Sequence, residues 1–409
     1  MEYFDALETR SPEVRERQQM AALPSLVAFA KVYAPAYGEL LADVDAEAVN
    51  TREALARLPV VRKSELTERQ QASRPFGGFV GEWRGRVARV YSSPGPIYEP
   101  EGRGADYWRT ARAMFAAGFR AGDLVHNSFS YHMTPGAWIM EAGVHALGGT
   151  VFPAGVGQTE QQLQAIADLR PDAYVGTPSF LRILLEKGDE LGLDVSSLKK
   201  ALVSGEAFPP SLRDALAARG VQAYQTYATA DLGVIAYESP AREGLIADEG
   251  VIVEIVRPGT GDPVPEGEVG EVVVTAFNRD YPLIRFGTGD LSAVLAGPSP
   301  CGRTNLRIKG WMGRADQTTK IKGMFVHPKQ IADVVRRHPQ LGRVRLVVDN
   351  ETGQDRMTLN CEAAADAGLG DAIVASLRDI TKLRGEVAFC TVGQLPNDGK
   401  VIEDVRKYE

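Results

Sequence analysis

Four short stretches carry the residue types that nucleotide chemistry needs. Arg285-Phe286-Gly287-Thr288-Gly289-Asp290-Leu291 sets a carboxylate directly behind a glycine turn. Gly313-Arg314-Ala315-Asp316-Gln317 follows with a basic-acidic pivot, and Lys320-Ile321-Lys322-Gly323 places a glycine among cations. Leu395-Pro396-Asn397-Asp398-Gly399-Lys400 mounts a lysine on a polar glycine turn. An acid placed like Asp290 could accept hydrogen bonds from both hydroxyls of a ribose, or could satisfy its own turn. A lysine placed like Lys400 could enter a cleft and neutralise a developing phosphate charge, or could simply be solvated.

Two further constellations lie upstream. Gly205-Glu206-Ala207 closes an apolar run and precedes a helical one. In open parallel sheets ligands bind outside the carboxyl ends of the strands, so this backbone could hold an adenine edge or form an ordinary turn. Tyr227-Ala228-Thr229-Ala230-Asp231 offers an aromatic that could stack a base and an acid that could reach Mg2+. The alternative is a core tyrosine and a surface aspartate. Gly393 to Gly399-Lys400 is one residue too long for a Walker loop and is followed by Val401, and no G-x-G-x-x-G follows a strand. Trp138 and Met140 could line a pocket or pack as helix core.

The elements that must position these residues are legible in the periodicity. Short apolar runs at 87–91, 123–127, 150–154, 173–176, 200–205 and 223–226 read as strands. Helical patterns at 107–119, 137–147, 160–169, 180–191 and 210–219 separate the later runs. This alternation predicts an α/β fold whose parallel sheet has helices on both faces. Residues 12–57 read as helices, one of them starting at Pro24-Ser25. Beyond Tyr237 the pattern turns β-rich, with Pro258-Gly259-Thr260-Gly261-Asp262 as a hairpin turn. Beyond Gly313 an αββαβ order suggests a small α+β domain.

The 409 residues, 44% of them hydrophobic, suffice for two or three domains. A net charge of −7 disfavours a nucleic-acid partner. No stretch approaches the roughly 20 apolar residues that span a bilayer, so no membrane association is expected. The sequence starts without a signal-peptide layout. Three dispersed cysteines and five scattered histidines predict neither a disulfide framework nor a structural zinc. A cytoplasmic protein is the expectation, and a homodimer is the base-rate oligomer.

In its ordered motifs the chain resembles the phenylacetate-CoA ligase family of adenylate-forming enzymes. The similarity runs from about Leu58 to Lys400. It rests on Gly157-Gln158-Thr159-Glu160, Arg170-Pro171-Asp172-Ala173, Thr177-Pro178-Ser179 and Cys301-Gly302-Arg303-Thr304. The segment from Gly313-Arg314-Ala315-Asp316 to Val326-His327-Pro328-Lys329-Gln330-Ile331 is the most specific. The resemblance implies ATP-dependent activation of an aryl or arylacetic acid to an acyl-adenylate, followed by transfer to CoA. It implies a mobile small domain over 316–409 on a large domain over 1–315. It also implies roles: Gly205, Glu206 and Ala207 along the adenine, Tyr227 stacked on it, and Asp290 on the ribose with Arg314 nearby. Asp316 would be the hinge and Lys400 the catalyst of adenylation. Gly323 would approach the phosphopantetheine, and Tyr131, His132 and Gly136 the acyl group. Ser92, Ser93 and Gly95 would remain from the phosphate loop, with Asp231 on Mg2+.

The chain departs from the family in that loop. Ser92-Ser93-Pro94-Gly95-Pro96-Ile97-Tyr98-Glu99-Pro100 lacks the usual threonines and lysine. Pro94 and Pro96 each remove a backbone donor, and Glu99 is expected to add negative charge where a triphosphate would lie. Ala230 and Asp231 stand where the family has a hydroxyl residue and Glu. A second reading therefore stands beside the ligase: a relative that does not adenylate and instead binds or uses AMP, an acyl-adenylate or (acyl-)CoA.

Overall fold

The computed structural model describes residues 2–93, 96–315, 317, 319–321, 324–350, 355–364 and 366–406. Two compact units emerge. The first comprises Met1–Val253, Val274–Phe286 and Leu295–Trp311, and the second Glu254–Val273, Gly287–Val294 and Met312–Glu409.

In the first unit, the central runs Ala173–Gly176 and Lys200–Val203 are buried on both faces, as inner parallel strands require. Eight strands of the sheet follow the order Thr150–Pro153, Leu124–Asn127, Ala173–Gly176, Lys200–Val203, Gln222–Thr229, Gly233–Glu238, Leu245–Ala247, Arg307–Ile308. The first five are parallel and the remainder antiparallel. Side chains alternate between two cores. Val125, Val175 and Leu202 pack with Met140 and Val144, while Tyr174, Ala201 and Val203 pack with Leu163, Leu181 and Leu184. Strand order reverses around Leu124–Asn127, which creates a topological switch point beside Ala173–Gly176.

Several expected boundaries move. The helix expected to start at Pro24 is continuous over Pro12–Tyr33. Proline removes one backbone donor, and burial of Leu23, Leu26 and Val27 around it outweighs that loss. The helix expected over 107–119 spans only Thr110–Ala116. Arg109 turns left-handed at φ 62°, and Asp106 accepts hydrogen bonds from the amides of Thr110 (2.8 Å) and Ala111, which fixes the helix start there.

The second unit carries the expected α+β order with two additions. Thr319–Ile321 pairs with Met324–Val326 ahead of helix Pro328–Arg337, and Ile402–Asp404 joins the sheet at its end. The strand order is Glu386–Cys390, Arg356–Glu362, Val344–Asp349, Ile402–Asp404. Ile331, Val334, Leu346, Val348, Leu359, Ile373 and Leu377 form its core. Segments 254–256, 270–273 and 287–292 belong to the same unit, where the Thr288 hydroxyl donates to the Val272 carbonyl at 3.0 Å. The predicted turn closes through Arg257 N to Asp262 O at 2.7 Å. Its Gly259 lies so close to Lys329 that a Cβ would sit 2.9 Å from that residue's backbone.

Candidate active site

The switch-point end of the first unit collects most of the residues singled out there. Asn127, the last residue of its strand, donates to the Tyr131 hydroxyl at 2.9 Å and to the Ala137 carbonyl at 3.0 Å, and accepts from Phe129 N. Tyr131 in turn donates to Glu141 at 2.8 Å and packs edge-on against Trp138. Burial and the neighbouring Glu141 carboxylate push the Tyr131 phenol well above its ordinary range, so it stays protonated. His132 is exposed, and Gly136 opens the helix Gly136–Ala146 facing Phe129. Sequence reasoning overlooked Asn127 because nothing local distinguishes it. Its role arises only where strand end and loop meet.

Gly205 follows the strand Lys200–Val203 at φ 85°, where its missing side chain faces Phe129 and Thr177. Glu206 reaches across to accept a hydrogen bond from Ser179 N at 2.6 Å, at the amino end of helix Pro178–Leu191, which Thr177 caps. That amino end attracts negative charge, so part of Glu206 is already committed. Tyr227 is half-buried at a register shift between Tyr227 and Ala228.

The segment expected to form a phosphate loop is instead largely a β-hairpin. Arg89–Ser93 pairs antiparallel with Ile97–Glu101, with Ser93 opposite Ile97 and Tyr91 opposite Glu99. Ser92 N donates to the Met133 carbonyl at 2.9 Å, and Ser93 Oγ donates to Glu99 at 2.5 Å. Gly95 lies outside the described residues. Below the hairpin sits a buried charged cluster that sequence reasoning missed. Lys63 Nζ bonds Asp231 Oδ2 at 2.6 Å, while Asp231 Oδ1 and Glu99 Oε2 are buried with no hydrogen-bond partner among the described residues. Lys63 and Asp231 are 168 residues apart, so no motif signals the pair.

Glu99 overturns one expectation. Burial first, and then the nearby Asp231 charge, push its carboxyl up to about 8. At neutral pH it is protonated and adds no negative charge. The unpartnered Oδ1 of Asp231 is a hard oxygen donor. Mg2+ is ordinarily held by one or two carboxylates plus phosphate oxygens, so this donor set fits one protein contact to Mg2+.

In the second unit, Arg314 Nη1 donates to Asp290 Oδ1 at 2.9 Å. The pair is built by backbone: Ala315 N donates to Gly289 O at 2.7 Å, and Leu291 N to Gly313 O at 2.8 Å. Gly289 is at φ 75°, and a Cβ there would lie 2.8 Å from the Arg314 guanidinium, so the glycine turn makes room for the pair. Gln317 grips the lysine turn. Its amide donates to the Gly399 carbonyl at 3.0 Å and its oxygen accepts from Val401 N and from Ile402 N, the latter at 2.8 Å. Lys400 is exposed and bonds Glu403 at 3.1 Å. Asp316 and Gly323 lie outside the described residues.

A parallel sheet with helices packed against it and loops at a topological switch point is the architecture of an α/β protein that binds its ligand at the strand ends. Residues 108–277 match the family of AMP-binding enzymes. The chain is 31% identical to the phenylacetate-coenzyme A ligase of Thermus thermophilus, over 95% of this chain and 92% of that protein. It is 33% identical to the ligase of the same name from Aromatoleum evansii, over 77% and 74% respectively. Its structure is similar to that of 2-hydroxyisobutyryl-CoA ligase in complex with 2-HIB-AMP and CoA, with a TM-score of 0.71, 26% identity and coverage of 98% of this chain and 92% of that one. The chain belongs to the phenylacetate-CoA ligase family of the adenylate-forming superfamily.

Proposed function

We propose that the chain is an AMP-forming carboxylate-CoA ligase acting on an aryl or arylacetic acid. A carboxylate oxygen attacks the α-phosphorus of ATP and the bond to pyrophosphate breaks. The CoA sulfur then attacks the acyl carbon, and AMP leaves as the C–O bond breaks. The observation that carries this reading is the Asp290–Arg314 pair on its glycine turn, in a chain that aligns over 95% of its length with a named ligase.

In the first unit, Gly205, Glu206 and Ala207 take the adenine edge, Tyr227 its face, and Tyr131, His132 and Gly136 the acyl group. The acyl loop is preset by Asn127 and Glu141, so ordering it on binding costs little. In the second unit, Asp290 accepts from the ribose hydroxyls and Lys400 neutralises charge on the phosphate in the first half-reaction. Asp231 would hold Mg2+, which supplies charge neutralisation at the phosphates when bound. Residues 316–409 act as a lid that turns at Asp316, bringing Gly323 to the thiol in the second half-reaction. The protein is expected to be cytoplasmic, and a homodimer is its simplest assembly.

The β-hairpin favours a second reading. Ser92 N, Ser93 Oγ and two prolines leave few donors for a triphosphate. A chain that takes a preformed acyl-adenylate or acyl-CoA, or only binds AMP, needs no such donors. Calorimetric binding of Mg-ATP beside AMP and CoA, followed by a screen of acids for pyrophosphate release, separates the two. ATP binding at least as tight as AMP, with acid-dependent release, is expected. AMP or CoA binding with no ATP binding, and no release across the screen, would establish the second reading.

A further inference from the structure

A cavity of about 390 Å3 lies within the second unit, and neither Asp290 nor Arg314 lines it. It is walled by the 257–269 segment, by helix Pro328–Arg337 with its following turn, and by the Gly399-Lys400 turn. Its volume falls in the range of ordinary small-molecule sites, roughly 300–1,000 Å3.

The lining is amphipathic. Val269, Ile331, Val335, Leu341, Val344 and Leu395 supply an aliphatic wall. Arg257, Arg336, Arg343, Arg345 and Lys400 supply five cations against the two acids Asp262 and Glu268. Most of these cations have partners: Arg336 holds Asp333 and Lys400 holds Glu403. Two have donors to spare. Arg345 is 6% exposed and its Nε is buried with no hydrogen-bond partner among the described residues, although its other nitrogens hold Asp398 and Glu403. Half-buried Arg343 donates no side-chain hydrogen bond among the described residues, although its charge acts on the nearby Glu362 carboxylate. A buried guanidinium N–H left unpaired is costly, and an anion in the cavity would satisfy it.

None of the described lining residues is aromatic, so they offer no stacking face for a nucleobase. We infer that this cavity binds an aliphatic-tailed monoanion, with its head at Arg343 and Arg345 and its tail along Val335, Leu341 and Val344. Such an occupant touches the 257–269 segment, the helix and the Gly399-Lys400 turn together, and so fixes the pose of Lys400. That consequence rests on the proposed function, whereas the binding itself does not.

The probe is octane-1-sulfonate, which has the right charge and tail and is not a carboxylate that could be activated. Calorimetric titration of the full chain should give one saturable, salt-weakened site. Val335→Phe, which fills the tail channel, and Arg343→Gln, which removes a head contact, should each weaken it at least about tenfold while AMP does not compete. If Val335→Phe melts without cooperativity, Arg343→Gln alone decides the case. No saturable binding, binding indifferent to the folded variants, or displacement by AMP would overturn the inference. Loss of pyrophosphate release on adding the sulfonate would extend it to control of Lys400. Failure of adenylation with every acid would leave the binding result standing.

Discussion

Glu99 carries the sharpest pH signature in the chain. Its ordinary carboxyl range is near 4.3 in the unfolded chain, whereas in the fold burial and Asp231 raise it to about 8. Folding therefore takes up a proton between those values. Stability from this group is complete below the unfolded value and is lost as pH rises through about 8. Glu99→Gln keeps the shape and an acceptor for Ser93 Oγ but cannot ionise. Its melting temperature should vary less between pH 5 and 9, and at pH 9 it should exceed the parent by roughly 1–3 kcal/mol in stability. Calorimetric melting across that range checks this, and parallel profiles for the two proteins would sink it. The same residue shows where reading a sequence stops. Its acid was visible, but its protonation depends on burial and on an aspartate far along the chain. Asp290 and Arg314 were legible because a short glycine-bearing stretch brackets each. Lys63, Asn127 and Gln317 were not assigned roles, because their partners are chosen by tertiary contact.

The turn before Lys400 is constrained on two sides. Gly399 sits at φ 70°, and a Cβ there would fall 2.7 Å from Val269 Cγ1 and 3.1 Å from Leu291. An L side chain in this conformation costs about 1–2 kcal/mol before any clash. Gly399→Ala is expected to destabilise the second unit by about 1–3 kcal/mol in urea unfolding. An unchanged midpoint would mean that the turn is free to relax. Elements with strong periodicity were read correctly in kind: Ala173–Gly176 and Lys200–Val203 are buried on both faces, as their apolar runs implied. The segment at 92–100 was read as a loop from its prolines and serines. It is a hairpin because Pro96 directly precedes the returning strand and Pro100 is accommodated opposite Val90, while Tyr91 and Ile97 have buried positions to fill.

The small domain proposed over 316–409 carries its own core, since every member of the cluster from Ile321 to Ile402 lies inside that range. A fragment spanning 317–409 should therefore melt cooperatively by circular dichroism, and a featureless far-ultraviolet trace would refute the boundary. The compact unit is larger, because 254–273 and 287–294 join it. That grouping had no signature in composition, and only the path of the chain reveals it. The backbone passes from one unit to the other at Val253, Val273, Phe286, Val294 and Trp311. During synthesis, the early β segments of the second unit thus emerge from the ribosome well before the stretch that completes it. At elongation rates of about 5–20 residues per second, they wait several seconds uncovered. A nascent-chain chaperone would find its binding window there, and a gene fusion with a single crossover would always divide one of the two units.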